Sequence, residues 1–450
     1  MSTFSQNGFR YSDYDINSNA SNAFHNIYGS ITDLESIKPE EITHPEIVSI
    51  EEESTQETKF KNEENGKGEE INDEKASKYE IIKKLNYIGE KKINSSFISE
   101  LKNGYLIVSR YDDCFLLYDN SYRNVLKIKF PLIINSFYEL NAENSEHNDN
   151  NIIKILCFSI CYIYIISYDL KTKKGNIETL NIKEYSEKED NTKDKKDNKI
   201  INNYHSMLNL KSNKDILFTN YGVSLVNNLL NGKERNEKII IQEQYIEGIS
   251  LNSNLICLKS NILYKNGLNE LICFDLNDNK IIKRINDYSF TVSPFRLKLV
   301  ERNEFNKVLI CACTKYSSEQ KNGILIVNFD LKNKDKIDTK IKFEDTNSFS
   351  VNCICHLNIN EEEKENNNIY LLAGGVDDEY NKGVMKLFII NIDEDEINIE
   401  FLQNIDIDDN IEGSISYIFQ LKNGKIIVSS GSGNILCSSP NLEGYNEELF

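Results

Sequence analysis

Residues 96–119 read SFISELKNGYLIVSRYDDCFLLYD, and residues 416–439 read SYIFQLKNGKIIVSSGSGNILCSS. The residues Leu-Lys-Asn-Gly begin at 101 in the first stretch and at 421 in the second, which is 421 − 101 = 320 residues apart. Around them, short runs of Ile, Leu, Val, Tyr and Phe are closed by Asn, Asp and Gly. Such runs are typical of β-strands and such closures of tight hairpin turns, so one hairpin unit occurs near both ends of the strand-rich part of the chain.

Comparable runs fill the chain from about Tyr79 onward, and long helical patterns are nearly absent. An aromatic residue followed by aspartate closes an apolar run at Tyr118-Asp119, Tyr168-Asp169, Phe274-Asp275 and Phe329-Asp330, with weaker counterparts at Val226-Asn227, Ile392-Asp393 and Cys437-Ser438. These seven positions are spaced by 437 − 392 = 45 to 392 − 329 = 63 residues. We therefore predict an all-β fold, a seven-bladed β-propeller of four-stranded antiparallel blades.

The last unit contains three strand candidates before Pro440, so its outer strand is missing. Tyr79–Gly89 (YEIIKKLNYIG) is a strand candidate without a partner, directly before the first unit. We expect it to pair with the last sheet and close the ring, which would bring the last blade beside the first. The predicted propeller domain is therefore residues 79–450. The pairs Asn103-Gly104, Asn322-Gly323 and Asn423-Gly424 are predicted to form tight hairpin turns.

The segment before this domain, residues 1–78, is polar and acidic. Its part from Glu40 to Lys78 contains 13 acidic and 5 basic residues. A segment of this composition buries too little apolar surface to offset the entropy lost on ordering, so we predict a disordered acidic tail. Within it, Ile42–Ile50 (ITHPEIVSI) is a candidate partner-binding segment.

Charge and composition exclude several classes of partner. The chain has 450 residues and a net charge of −19, which disfavours a nucleic-acid backbone or an anionic membrane surface as its main partner. The most apolar run, Ile152–Tyr168, contains a lysine and is shorter than the roughly 20 residues that span a bilayer, so no membrane span is expected. The ten cysteines lie mostly within apolar runs, which indicates buried thiols in a reducing compartment. We expect a cytoplasmic or nuclear protein.

The repeated units resemble the WD40-like family over about 360 of the 450 residues. The sixth unit, SVNCICHLNI followed by IYLLAGGVDDEYNKGVMKLFIINID, is similar to that family's first three strands, and the four aromatic-Asp pairs match its Trp-Asp dipeptide. The chain departs from the family because it has no tryptophan and no regular Gly-His pair. The resemblance implies a rigid, non-catalytic scaffold for protein–protein interaction, with other proteins or peptides as partners.

The candidate binding residues lie in the turns that join the second and third strands of a blade. They are Arg110, Tyr111, Asp112 and Asp113, then Asn220 and Tyr221, then Asp377, Asp378, Glu379 and Tyr380. Tyrosine and arginine are enriched in protein interfaces, and loops on rigid scaffolds often carry binding. We hypothesise that this face binds a basic or mixed-charge peptide.

No motif predicts a catalytic residue, a metal site or a cofactor. Cys311-x-Cys313 and Cys353-x-Cys355-His356 have possible zinc ligands, but cysteines two apart on a strand point to one face and are expected in the core. The run Asp406–Gly413 has Ile411 where a calcium loop needs glycine for its sharp turn, and no glutamate stands at the twelfth position of the loop. Two alternatives stay open: an enzyme with a metal in the central channel, which metal analysis would detect, and a phosphoinositide-binding propeller, whose Phe-Arg-Arg-Gly motif is matched only in part by Phe295–Lys298. The oligomeric state is left open.

Overall fold

The computed structural model describes twenty-two segments of the chain. They are residues 45–48, 86–91, 95–110, 114–121, 123–131, 134–140, 151–159, 162–180, 204–210, 214–219, 222–227, 237–241, 245–260, 270–286, 291–314, 321–332, 337–358, 368–377, 382–393, 396–405, 413–430 and 433–438. All secondary structure in these segments is β-strand. No helix in them has the length and apolar character needed to cross a membrane.

The strands are numbered in chain order. The first two are β1 (Glu46–Val48) and β2 (Asn86–Lys91), followed by β3 (Ser95–Glu100), β4 (Leu106–Arg110), β5 (Cys114–Tyr118), β6 (Asn124–Lys129), β7 (Ile134–Glu139), β8 (Ile152–Ser159), β9 (Ile163–Asp169), β10 (Lys174–Leu180), β11 (Tyr204–Leu210), β12 (Lys214–Thr219), β13 (Gly222–Asn227) and β14 (Glu237–Ile241). The others are β15 (Tyr245–Ser250), β16 (Leu255–Ser260), β17 (Glu270–Asp275), β18 (Lys280–Asn286), β19 (Thr291–Glu301), β20 (Asn306–Thr314), β21 (Gly323–Asp330), β22 (Asp338–Asp345), β23 (Phe349–Leu357), β24 (Asn368–Asp377), β25 (Lys382–Ile392), β26 (Ile397–Ile405), β27 (Ile415–Gln420), β28 (Ile426–Ser430) and β29 (Gly433–Ser438).

Within the described segments the strands form antiparallel sheets, which we number along the chain. Sheets 1 to 6 consist of β3–β6, β7–β10, β11–β14, β15–β18, β19–β22 and β23–β26, and sheet 7 consists of β27, β28, β29 and β2. Sheet 1 carries β1 as a fifth strand beside β6. The first strand of each sheet is called its inner strand below. The all-β fold and the four-stranded antiparallel sheets predicted from the sequence are confirmed, and the architecture is consistent with a β-propeller.

The hydrophobic core is divided among the contacts between sheets. Each cluster of buried side chains combines residues of two sheets, in the pairs 1–2, 2–3, 3–4, 4–5, 5–6, 6–7 and 7–1. In β20, for example, Leu309, Cys311 and Cys313 pack against sheet 4, whereas the alternate residues Val308 and Ile310 pack against sheet 6. The middle strands of a sheet are apolar on both faces because each face packs against a neighbouring sheet. The expected core position of Cys311 and Cys313 is confirmed.

Each inner strand has an irregularity close to its first residue. The pairing with the second strand shifts between Ser95 and Phe97, Ile134 and Ser136, Tyr204 and Ser206, Tyr245 and Glu247, Val292 and Leu297, Val351 and Cys353, and Ile415 and Tyr417. A bulge inserts an unpaired residue and exchanges the faces on which later side chains lie. Accordingly Val351 packs against sheet 5, whereas Cys353 packs against sheet 7 although it is only two residues away.

Three local expectations differ from the structure. Glu46–Val48 lies in the predicted disordered tail but forms β1, because the exposed edge of β6 offers it backbone partners. The strand before the first unit is Asn86–Lys91, which pairs with β29, and residues 79–85 lie outside the described segments. Gly323 begins β21 and is not part of a hairpin turn. In the two Leu-Lys-Asn-Gly turns only the glycines have positive φ, 84° at Gly104 and 83° at Gly424.

Candidate functional site

The strands that precede the three predicted binding turns end at corresponding positions in their sheets. Arg110 ends β4, Thr219 ends β12 and Asp377 ends β24. In the ladders these residues pair with the beginnings of the inner strands, since Ser95 is opposite Arg110 and Phe349 is opposite Asp377. The strands that precede the predicted turns therefore end where the inner strands begin, and we call this end of the sheets the turn end. Tyr111, Asp112, Asp113, Asn220, Tyr221, Asp378, Glu379 and Tyr380 lie outside the described segments.

The bulges of the inner strands lie at the same turn end. In sheet 6 the residue between the shifted pairs is Asn352, whose side-chain amide donates a hydrogen bond to the Ser414 hydroxyl just before sheet 7. In sheet 7 the corresponding residue is Ser416, whose hydroxyl donates to the carbonyl of Ser429 at 3.2 Å. A bulge re-aims side chains and leaves backbone groups outside the ladder. The turn end thus combines irregular backbone with polar side chains.

The glycine pair of sheet 6 permits close packing at this end. A Cβ atom at Gly375 would lie 1.8 Å from the carbonyl oxygen of Ser350, and one at Gly374 would lie 2.7 Å from Ile415 Cγ2. Contacts this short are not tolerated by real side chains, so any larger residue at 375 would have to displace the backbone of β23. Gly374 and Gly375 therefore have a packing role beside the bulge between Val351 and Cys353.

At the opposite end of the sheets, the aspartates of the repeated aromatic-Asp pairs cap the turns between third and fourth strands. Asp119 Oδ1 accepts hydrogen bonds from the backbone amides of Ser121 and Arg123, both at 2.9 Å. Asp169 accepts from Lys171 at 2.8 Å and Thr172 at 3.1 Å in the same way. Asp275 and Asp330 make the corresponding bonds to Asn277, Asp278 and Lys332. The repeated dipeptide is therefore a turn cap preceded by an aromatic core residue.

Asp119 has an additional charged partner. Its Oδ2 atom accepts from Arg123 Nε at 3.0 Å and lies 2.9 Å from Arg123 Nη2. Burial by itself would raise the pKa of Asp119, but the hydrogen bonds and positive charge of Arg123 outweigh burial and lower it. At Asp169 the pKa is also lowered, by the backbone hydrogen bonds from Thr172 and Lys171. Both carboxylates are thus held in the ionised form that caps the turn.

A second repeated contact joins neighbouring sheets at this capped end. The backbone amide of Lys422, just after β27, donates to Glu100 Oε2 of β3 at 2.8 Å. The backbone amide of Lys102, just after β3, donates to Glu139 Oε2 of β7 at 2.9 Å. The amide of Asn358, just after β23, donates to Gln420 Oε1 of β27 at 2.8 Å. The acceptor is each time the last residue of the next inner strand, and we call this contact the inter-sheet clasp.

The clasp residues were missed by the sequence analysis, although the sequence contains a signal for them. Most inner strands end with a polar residue, then leucine, then Lys or Asn, as in Glu100-Leu101-Lys102 and Gln420-Leu421-Lys422. Leu101 and Leu421 are buried, and the amide after each of them turns toward the following sheet. The pKa of Glu100 is raised, because the effect of burial outweighs the backbone hydrogen bond from Lys422 and the positive charge of Lys422, which act in the opposite direction.

In sheet 6 the polar residue before the leucine is His356. Burial is the main cause that lowers its pKa to about 4, and the positive charge of Lys298 adds to the effect. The imidazole is therefore neutral near pH 7. Burial likewise raises the pKa of the neighbouring Cys355 thiol, which makes it a poor thiolate nucleophile. Among the residues that the structure describes, no three His, Cys, Asp or Glu side chains lie close enough together to hold a metal ion.

The two ends of the sheets thus differ in chemistry. At the capped end, Asn and Asp side chains satisfy the turn amides, and clasps tie one sheet to the next. At the turn end, the pairing of the inner strands is irregular, and Asn352 and Ser416 place polar side chains at the bulges. An arrangement of this kind is suited to binding a protein segment, since loops held by a rigid sheet framework lose little entropy on binding.

Comparisons with known proteins find structural likeness without sequence relationship. No protein-family model matches the chain, and no curated protein matches it in sequence. A crystal structure of BBS1N in complex with ARL6DN aligns at a TM-score of 0.49 and 9% identity, over 80% of this chain and 99% of that chain. The Dos1 propeller aligns at 0.42 and 13%, over 77% and 78% of the two chains. U3-55K aligns at 0.43 and 8%, over 79% and 98%. Because all three scores are below 0.5, they assign neither a family nor a function to this chain.

Proposed function

We propose that this chain is a non-catalytic scaffold for protein–protein interaction, built as a closed seven-bladed β-propeller that resembles the WD40-like family. The observation that carries the proposal is the difference between the two sheet ends, one capped and clasped, the other bulged and bearing the candidate turns. The described cysteines are buried, and burial raises the pKa of the Cys355 thiol and lowers that of His356, which supports structural roles for these groups. The proposed compartment is the cytosol or nucleus.

Closure of the ring is supported by contacts between the two ends of the strand-rich region. Strand β2 pairs with β29 in sheet 7, and Lys422 of sheet 7 clasps Glu100 of sheet 1. The hydroxyl of Tyr417 donates to the carbonyl of Ile98 at 2.9 Å across the same boundary. A ring in which every sheet has two neighbours has no uncovered sheet face.

The turn end is the proposed binding surface, with a basic or mixed-charge peptide as its ligand. Two of the three turns have a tyrosine beside acidic residues in the sequence, Tyr111-Asp112-Asp113 and Asp378-Glu379-Tyr380, and the first also contains the cationic Arg110. Aromatic residues supply most of the affinity in such interfaces, and carboxylates select for cationic partners.

Replacement of the three turn tyrosines tests this proposal. The full-length triple variant Tyr111→Ala, Tyr221→Ala, Tyr380→Ala should capture partners from native cells at least about tenfold less well than the wild type. Affinity purification with quantitative mass spectrometry measures the loss, and a thermal melt checks that the fold is kept. The control is Phe305→Ala, an exposed aromatic residue in a hairpin turn at the capped end. Unchanged capture by the triple variant would show that the turn end is not the binding surface.

A further inference from the structure

The outer edge of sheet 1 is covered by a short strand from the N-terminal part of the chain. Strand β1 runs antiparallel to β6, with Glu46 opposite Lys129, Ile47 opposite Ile128 and Val48 opposite Lys127. Within the described segments, each of the other sheets has four strands, so an added strand distinguishes this edge. An uncovered sheet edge is a template for any extended segment that can complete its hydrogen bonds.

A notch in the neighbouring sheet receives the side chain of Ile47. A Cβ atom at Gly175 of β10 would lie 2.7 Å from Leu126 Cδ1 and 3.4 Å from Ile47 Cδ1. The absence of a side chain at Gly175 therefore leaves room at the rim between sheets 1 and 2. Leu126 and Ile128 of β6 belong to the core between these sheets, and Ile47 Cδ1 lies beside Leu126 and Gly175 at the rim. An aliphatic side chain at this position fits the notch.

The charges of the edge favour an acidic strand. Strand β6, with the sequence NVLKIK, contains two lysines and no acidic residue. Lys129 lies opposite Glu46, and opposite charges on facing strands attract. The residues that follow β1 include Glu51, Glu52 and Glu53, so the segment continues the same sign of charge. The edge thus selects an acidic residue followed directly by an aliphatic one.

The contact of β1 is weak enough to exchange. The strand has only three residues, and Ile47 keeps 47% of its surface exposed. Short strands with few buried contacts open at low cost in free energy. Glu46–Val48 competes for the edge because it belongs to the same chain, which raises its effective concentration there.

We propose that the outer edge of β6 is a docking edge for an extended acidic-aliphatic segment of a partner protein, and that Glu46–Val48 occupies this edge until such a segment displaces it. The partner segment lies antiparallel to β6 with its aliphatic side chain in the Gly175 notch. The proposal rests on the proposed scaffold function in taking a protein as ligand. It concerns a different surface from the turn end, so the two are tested by different variants.

A peptide titration on the full chain tests this docking edge. The probe is a fluorescein-labelled peptide of residues 43–53 (THPEIVSIEEE), and its binding is measured by fluorescence anisotropy. The Ile47→Asp variant should bind the peptide at least about tenfold more tightly than the wild type, because its own strand no longer competes. The matched control is Ile341→Asp, which changes an aliphatic residue of similar exposure, 49%, on the outer strand of sheet 5. It should bind the peptide as the wild type does.

Two further measurements make the result decisive. Adding Gly175→Val to Ile47→Asp should abolish binding, since the new side chain fills the notch. Hydrogen exchange at the amides of β6 should be faster in Ile47→Asp than in the wild type and slow again when peptide is added. Equal peptide affinity of wild type and Ile47→Asp, including no binding to either, or unchanged β6 exchange would overturn the proposal. A loss of partners in the tyrosine triple variant is independent of all these outcomes.

Discussion

At the scale of single residues, the repeated aromatic-Asp pairs show how one sequence signal combines two roles. The aromatic residue is buried between two sheets, as Tyr168 and Phe329 are, and the aspartate caps the turn that follows. The spacing of the pairs predicted the repeat correctly. It did not reveal the capping role, because the hydrogen bonds from the turn amides to the carboxylates appear only in the structure.

Protonation of His356 should couple the stability of the fold to pH. The pKa of this group is lowered from 6.5 to about 4 in the folded chain, so between these values the unfolded chain binds a proton that the folded chain does not. Stability is therefore lost as the pH falls from 6.5 toward 4. We expect the free energy of unfolding of the wild type to fall by about 2 kcal/mol more than that of His356→Gln between pH 7 and pH 4.5. Urea unfolding at both pH values measures this difference, and equal slopes for the two proteins would contradict the burial of His356.

At the scale of elements, the two Leu-Lys-Asn-Gly stretches at 101 and 421 occupy the same place in the inter-sheet clasp. Both stretches end an inner strand, and in both the lysine amide donates to the last residue of the next inner strand. The two sheets are neighbours, since Lys422 reaches Glu100. Lys422 Nζ also donates to the carbonyl of Leu101 at 2.6 Å. The clasp joins sheets through backbone groups, so it depends on the position of the strands more than on the identity of the donor residue.

Removal of one clasp should weaken the boundary between sheets 7 and 1. In Glu100→Ala the amide of Lys422 loses its acceptor, and we expect a loss of about 1–2 kcal/mol in the free energy of unfolding. Glu139→Ala, which removes the corresponding acceptor for Lys102, should behave alike. The control is Glu178→Ala on the exposed strand β10, for which a change below about 0.5 kcal/mol is expected. Urea unfolding compares the three variants, and a Glu100→Ala protein as stable as the control would argue against the clasp.

At the scale of the whole molecule, the last sheet depends on a strand from the beginning of the domain. Strand β2 pairs with β29 through residues separated by 437 − 87 = 350 positions, at Tyr87 and Cys437. Its contribution is therefore non-local, whereas β1 adds to a sheet that already has four strands. The two N-terminal strands should differ in their importance for stability.

Two deletions compare these strands. Deleting residues 79–91 removes β2 and exposes the edge of β29, so we expect a markedly lower melting temperature and aggregation. Deleting residues 1–78 removes β1 and should change the melting temperature by only a few degrees. Thermal melts followed by light scattering measure both effects. Equal melting of the two truncated proteins would refute a ring closed by β2.

The sequence by itself determined the properties that depend on neighbouring residues. Short apolar runs closed by Asn, Asp and Gly predicted the strands, glycine at 104 and 424 provided the positive φ of two turns, and the two-residue spacing of Cys311 and Cys313 predicted their common place in the core. Periodicity and turn chemistry act over a few residues, so they can be read along the chain. Residues 111–113, 220–221 and 378–380 are predicted to lie in turns by the same reasoning, and they remain a sequence-based hypothesis for binding.

Only the tertiary structure decided which surfaces meet. The bulge between Val351 and Cys353 leaves the pattern of buried residues unbroken, so the sequence cannot show that their side chains face different sheets. The docking of Glu46–Val48 likewise depends on the free edge of β6 and on the missing side chain at Gly175, which are far away in sequence. Glu46–Val48 lies in an acidic segment that was predicted to be disordered. It forms a strand because the edge of β6 matches it in charge and shape. That match is a property of the folded sheets, because their edges exist only after the repeats have packed against one another.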